Sequence, residues 1–487
     1  MKKWSLLILL CSVCVDLLAQ KVVFSQPQRL PTKVMEYEIV GKTSQGLVVH
    51  KSGTKYNELE MYDLTTMKLK WTKEMTLGDK KAKVEEVIAY KDELIIIFTI
   101  KQKSETFLYA RRTTPDLKPL GDDVELDKVV RKFGTYGFEF FVDVSKNKKY
   151  INILRHNYDF SGLDNIDCVL IDTKLKVAGK KNIHIDERPN VLDKTFLSND
   201  GVIFFGQGLN KRTLLNNQPQ FESLKLLKYD YREDELKLII IDEGDYLINE
   251  VDFAVDDKNG RVVIVGFYSQ KQASTSDGYL YVYVDLKTDE LKQHTVASFS
   301  ADFYKKIESI KGYRSRKKAT NLNINELIVR NDGGILLLAE SAYSTSRSIT
   351  RSAFDTYYNS RRTMEVTNYY HDDIIVLSIH PDGSLYWDNV LRKKQYSEDD
   401  EGYFSSFGVV NVRSALNLIF NEEITKNTNI NGYVLDAKGD YKIQSLVSIQ
   451  EHDLMMAPQY SKQLSFSEVV LPAFNSRNEF MLAKISF

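Results

Sequence analysis

The chain has 487 residues, with 66 Lys and Arg against 67 Asp and Glu, and 43% of it is hydrophobic. That apolar share and the near-zero charge exclude a disordered chain, and 9 Pro with 24 Gly exclude collagen-like and proline-rich classes. The same balance leaves no basic footprint for nucleic acid.

Residues 1–20 have the layout of a secretory signal peptide. Lys2 and Lys3 precede an apolar stretch from Leu6 to Leu18, and Ala19 offers a small residue for cleavage. The apolar stretch is shorter than the ~20 residues of a spanning helix, and Asp16 interrupts it. The expected product is residues 21–487, exported to the periplasm or beyond, with no transmembrane segment. Losing two Lys and one Asp moves the net charge from −1 to −2 and leaves Cys168 as the one cysteine. The core rather than a disulfide must then stabilise the fold, and Cys168, inside IDCVLID, reads as a buried, inert thiol.

From Gly46 onward a pattern recurs at a mean step of about 60 residues. An apolar strand is followed by a partner strand that ends in a turn. The first of each pair is GLVVH, LIIIF, YINIL, VIFFG, VVIVG, ILLLA, NLIFN and EVVLP, from Gly46 to Glu468. The turns after the partner strands read YDLTTMKLKW, VDLKTDELKQ, HPDGSLYW and LDAKGDYK, with Asp and Gly where tight turns need them. Helical periodicity is almost absent. Each repeat therefore predicts four antiparallel strands, A to D, joined as a meander. The fold class is all-β: a β-propeller of about eight four-stranded blades, with seven as the rival count. The eighth repeat ends after its C strand, so Lys21–Gln28 is expected to supply the missing outer strand and close the ring through the N- and C-terminal strands.

Asp63, Thr66 and Trp71 resemble the turn of quinoprotein-type propeller repeats, and so do Asp382, Gly383 and Trp387. The segment from Tyr369 to Phe407 resembles uncharacterised secreted propeller-like proteins of Gram-negative bacteria. The resemblance implies the propeller architecture and no particular activity. Quinone-dependent enzymes of this shape often carry adjacent cysteines and calcium. The mature chain keeps a single cysteine, so no cofactor is expected.

No HExxH, GxSxG, GxxxxGK[ST] or EF-hand loop occurs. His371 stands beside Asp372 and Asp373, but neighbours on a strand point to opposite faces, so surface polar residues rather than a metal site are expected. Glu398 to Glu401 reads as a solvated acidic loop. No metal site is assigned, and no catalytic residue can be named.

Long connections fall mainly between B and C strands: Gly208–Phe221, Tyr268–Gly278, Ser341–His371 and Asn421–Asn431. In a meander these crowd one face, together with the acidic D–A connection at Ser397–Gly402. Loops on a rigid scaffold commonly carry recognition. The longest supplies the candidate binding residues: Arg347, Arg351, Tyr357, Tyr358, Arg361, Arg362, Tyr369 and Tyr370. Tyr and Arg combine contact area with polar reach at interfaces. A merely solvated insertion is the plainer alternative. The functional expectation is a secreted, non-catalytic binding or scaffold protein of the bacterial envelope, whose partner is an envelope protein or a polysaccharide. The rivals are a glycosidase or lyase with carboxylates in a central funnel, and a structural envelope assembly factor.

Overall fold

The computed structural model describes residues 21–487, apart from 32–33, 35, 54–55, 79–81, 131–136, 160–161, 185–190, 211–220, 243, 271–274, 309–318, 351–362, 413–414, 425–427 and 448–453. The signal-peptide reading on residues 1–20 lies outside the described residues. Among the described residues the strands form six sheets of four or five strands, one eight-stranded sheet and a two-stranded ribbon, and every paired strand is antiparallel. We number the repeats along the chain as units 1 to 8.

Unit 1 shows the pattern. Strands Glu36–Thr43, Gly46–Gly53, Tyr56–Tyr62 and Leu69–Glu74 pair in sequence order. The B strand is buried through most of its length, while the D strand is mostly exposed. This gradient follows from packing sheets face to face: a B strand covered on both faces needs a continuous apolar run. The B strand of unit 2, Glu93–Gln102, uses both of its faces. Leu94, Ile96 and Phe98 pack on Val48 and Leu59 of unit 1, and Ile95 and Ile97 pack on Ile151 and Ile153 of unit 3. The same alternation splits Leu337 from Leu338 in unit 6, toward Val263 and Val265 on one side and Leu418 and Tyr433 on the other. The last unit packs on the first: Val470, Phe480 and Leu482 share a cluster with Leu47, Val49 and Tyr62. The repeats are propeller-like.

The C–D turns follow the Asp chemistry of the sequence. Asp63 Oδ1 accepts from the backbone N–H groups of Thr65 and Thr66 at 3.0 and 2.9 Å, and Asp436 Oδ1 accepts from Lys438 and Asp440 at 2.8 and 2.9 Å. Trp387 reaches from unit 6 to the turn of unit 7, where its Nε1 donates to the Ala437 carbonyl at 3.2 Å. Gly439 in that turn has φ +90°, and a Cβ there would stand 2.6 Å from the indole, so both backbone angle and space require glycine. Lys21–Phe24 lies antiparallel to Phe480–Ser486, from Lys21 opposite Ser486 to Phe24 opposite Ala483, and Gln28 bridges to Phe480.

Several expectations need correction. Units 4 and 5 are joined into the eight-stranded sheet by the pairing of Phe221 with Ile248. A helix, Ala301–Glu308, stands between units 5 and 6, capped by Ser300 and anchored by buried Phe303 stacked 4.1 Å from Phe299. The A strand of unit 8 is split into Leu454–Met456 and Lys462–Ser465 by a 3-10 turn at Pro458–Tyr460. Most consequentially, the segment Ser341–His371 is not simply a loop. Strands Ile335–Thr350 and Thr363–Ile379 run on through it as a paired hairpin. Its Thr, Val, Ile and Tyr residues favour extended backbone, and the pairing satisfies groups a loop would expose.

Candidate functional sites

Two regions bring polar chemistry together. The first lies between the A strands of units 2 to 5: Ala82–Tyr90, Gly137–Val144, Val191–Leu197 and Leu247–Asp256. They bound a cavity of about 520 Å³, lined by Glu85, Glu86, Asp143, Lys194, Thr195 and Asp252 beside the rings of Phe140, Phe141, Phe196 and Phe253. The backbone sets the acids in place. In unit 2 the A–B register skips a residue between Val84 and Glu86, in unit 5 between Ile248 and Glu250, and in unit 6 between Ile324 and Glu326. Such a bulge bends the strand and re-aims the next side chain. Each time, that side chain is a glutamate.

Burial pushes all three carboxyls up from their ordinary range, and neighbours adjust the result. Glu86 rises to about 7, with the charge of Glu38 adding and Lys462 opposing. Glu250 rises against the opposing charge of Lys194, with Asp252 adding. Glu326 rises with help from Asp252. Burial also lifts Asp143 to about 6, although Thr195 Oγ1 donates to it at 2.6 Å. Lys194 is held by Asp252 at 3.0 Å. Of these groups Glu86 and Asp143 line the cavity, and values of about 7 and about 6 suit a carboxyl to both giving and taking protons near neutral pH, while Glu250 and Glu326 lie outside the lining. Sequence reading passed these residues over. The signal is a repeated apolar-x-Glu-apolar run, VEEV, INEV and INEL, one strand ahead of the runs that define the repeat.

The second region is the B–C hairpin of unit 6. Strand Gln395–Glu398 adds to its side, from Gln395 opposite His371 to Glu398 opposite Asn368. The acidic segment thus begins as a strand and then turns, with Asp400 accepting from Ser397 Oγ at 2.6 Å and from the Gly402 N–H at 2.9 Å. Of the candidate binding residues, Arg347 pairs with Glu398 at 2.8 Å, both about half exposed. Tyr370 stacks on Tyr343 at 4.7 Å and lies 5.3 Å from Tyr396. Tyr369 sits at the neighbouring position, opposite Ser344 and Ser397. Arg351, Tyr357, Tyr358, Arg361 and Arg362 lie outside the described residues.

The hairpin is rooted in a buried charge network. Glu340 and Lys393, 2% and 3% exposed, meet at 2.9 Å. Glu340 also takes His371 Nδ1 at 3.0 Å, Ser406 Oγ at 2.6 Å and Asn325 Nδ2 at 3.1 Å. Burial works against its ionisation, but Lys393, His371 and Ser406 outweigh it and hold the carboxyl below its ordinary range. His371 is thus a half-buried partner of this network, not the surface residue expected. Among the described residues no three His, Cys, Asp or Glu side chains stand together as a metal site. Cys168 is buried, and burial pushes its thiol up, away from the reactive thiolate. No helix of the described residues is long and apolar enough to cross a membrane.

No family model and no curated protein sequence matches the chain. Similar strand arrangements occur in solved structures of low identity. A prolyl endopeptidase is 8% identical over 91% of this chain and 55% of its own, with a TM-score of 0.41. The dihydro-heme d1 dehydrogenase NirN is 10% identical over 96% of this chain and 78% of its own, also at 0.41. The β-propeller domain of Nup133 from Vanderwaltozyma polyspora is 8% identical over 83% of this chain and 100% of its own, at 0.38. The chain spans little more than half the length of the endopeptidase. At these values no activity passes from those proteins to this one.

Proposed function

We propose that the chain is an exported, single-domain propeller of eight blades, closed by its N-terminal strand, that acts as a non-catalytic binding scaffold of the cell envelope. The cyclic sequence of packed units and the pairing of Lys21–Phe24 with Phe480–Ser486 support the ring. The binding reading rests on one observation. The unit 6 hairpin extends well beyond the B and C strands of its neighbours, yet its base is fixed by a third strand and by the Glu340–Lys393 network. A rigid root presenting Arg and Tyr lowers the ordering cost of recognition. The test is capture of envelope components by wild-type protein and by a variant with Tyr357, Tyr358, Arg361 and Arg362 all changed to Ala. Capture should weaken at least about tenfold with melting nearly unchanged. Full capture by the variant removes the hairpin from the interface.

A second reading, a glycan-processing enzyme, is favoured by one observation: Glu86 and Asp143 line one cavity as partly protonated carboxyls. Such groups are suited to general acid–base work. Turnover of a glycan panel that vanishes in Glu86→Gln would replace the scaffold reading, and no turnover by wild-type protein would retire the enzyme.

A further inference from the structure

The face of unit 3 that packs on unit 2 changes character along its length. Ile151 and Ile153 are core residues on that face. Two and four positions further along the same strand stand Arg155 and Asn157, with Asp167 and Asn165 opposite them. Asn182 opposes Asp167 from the outer strand. These five polar side chains take over where the apolar packing stops. They line a groove of about 440 Å³ that also holds Phe138 and Tyr158. That volume falls within the range of about 300–1,000 Å³ common for ligand sites.

The polar groups are fixed by one another. Arg155 Nη1 bonds Asp127 of unit 2 at 2.5 Å, and its Nε donates to Asn157 Oδ1 at 3.1 Å. Asn157 Nδ2 donates to Asn165 Oδ1 at 2.7 Å and to Asp167 at 2.8 Å. Asn182 Nδ2 donates to Asp167 Oδ1 at 2.7 Å and to Asn165 Oδ1 at 3.0 Å. An interface needing only adhesion would continue the Ile151–Ile153 surface, since a polar network gains little stability over apolar packing. What the array provides is a fixed pattern of amide and carboxylate groups beside aromatic rings, with little rotamer freedom left to lose on binding.

We propose that this groove binds a neutral polysaccharide. Ring faces suit the apolar faces of sugars, and oriented amides and carboxylates suit their hydroxyls. The lining holds Lys128 and Arg155 against Asp159, Asp164 and Asp167, and Arg155 is engaged by both Asp127 and Asp167. An anionic chain would therefore meet a surplus of carboxylates. The groove lies at the end of unit 3 where its B and C strands connect, beside Tyr158, Asp159 and Asp164, and the unit 6 hairpin is likewise a B–C connection. The inference thus rests on the scaffold reading and names its polymer.

The probes are cellohexaose, xylohexaose and mannohexaose, with hyaluronan hexasaccharide as the anionic control, titrated calorimetrically into the whole mature chain. At least one neutral hexasaccharide should bind, the anionic one should not, and Asn157→Ala with Asn182→Ala should weaken binding at least about tenfold at unchanged melting temperature. Asn182→Ala alone is the fallback, because Asn182 is exposed and exposed substitutions usually change stability by less than about 0.5 kcal/mol. No neutral binding by wild-type protein, or equal binding by the variants, overturns the groove. If wild-type protein captures envelope material while ignoring all three neutral probes, the groove falls and the scaffold stands. If it binds a probe but captures nothing, the scaffold falls and the groove stands.

Discussion

Replacing Lys393 with Met tests whether the unit 6 hairpin is rooted by charge. Lys393 is 3% exposed, and its Nζ serves Glu340 Oε2, the His371 carbonyl and Gln395 Oε1, each at 2.9 Å. The Met side chain fills similar space but leaves Glu340 buried with only neutral donors and His371. Breaking a buried pair from one side costs about 3–5 kcal/mol, because the remaining charge loses its compensation. Changing Glu340 to Gln as well removes that charge while keeping a group that can accept from Ser406. The double variant should then recover about half or more of the loss. The two also differ in pH response. In the wild type the folded Glu340 carboxyl lies below its ordinary value of 4.5. It therefore stabilises above that value, and the contribution is lost as pH falls through the folded pKa. Without Lys393, burial dominates and raises the folded pKa, so the Lys393→Met deficit should shrink on acidification. The double variant should show no such trend. Urea unfolding followed by far-UV circular dichroism between pH 5 and 8 reads all three effects. A Lys393→Met loss under about 1 kcal/mol, or a double variant no better than the single one, would refute the reasoning.

Two further outcomes follow from the same geometry. Deleting residues 21–28 removes the Lys21–Phe24 pairing and the bonds from Gln28 to Tyr62 at 2.9 Å and from Lys51 to Gln28 at 3.1 Å. Unfolding should be easier by several kcal/mol, and an unchanged melting temperature would mean that the terminal strand adds nothing to unit 8. The cavity carboxyls should make stability fall as pH rises. Glu86 has a folded pKa of about 7 against an ordinary 4.5, so its stabilising contribution is present below 4.5 and lost as pH climbs through 7. Glu86→Gln should flatten the stability profile between pH 5 and 8, and an identical slope in the variant counts against a protonated Glu86.

The architecture was legible because it depends on local, repeated chemistry. Runs such as LIIIF and VVIVG are short, rich in β-branched residues and bounded by turn residues, which marks strands covered on both faces, and Asp-led turns such as Asp63 to Trp71 fix where strands reverse. Even the pairing of Lys21–Phe24 with Phe480–Ser486 could be foreseen, since the last repeat lacks an outer strand and residues 21–24 read KVVF. The exceptions are places where neighbouring groups outweigh the local pattern. The hairpin of unit 6 read as a loop because its polar Ser, Thr and Arg residues hide a strand whose far part, among the described residues, pairs with its own partner and with Gln395–Glu398.

The candidate sites were harder to see for a different reason. Glu86, Asp143, Lys194 and Asp252 are single residues on four strands that lie 51 to 58 positions apart, and only Glu86 belongs to a repeated local run. What unites them is the turn of the chain from one unit to the next, which brings each A strand beside the last. Yet their chemistry is not independent of the repeat. The bulge that re-aims Glu86 recurs ahead of Glu250 and Glu326, so one backbone irregularity, copied along the chain, places a glutamate at the same strand position each time, half-buried in units 2 and 5 and exposed in unit 6. The cost of burying Glu86 and Asp143 appears in their raised pKa values, and Lys462 near Glu86 and the Thr195 bond to Asp143 offset only part of it. A fold with no need of the cavity would be more stable with apolar residues there. Of the three re-aimed acids Glu86 alone lines the cavity, so the bulge belongs to the repeat and serves that cavity only in unit 2.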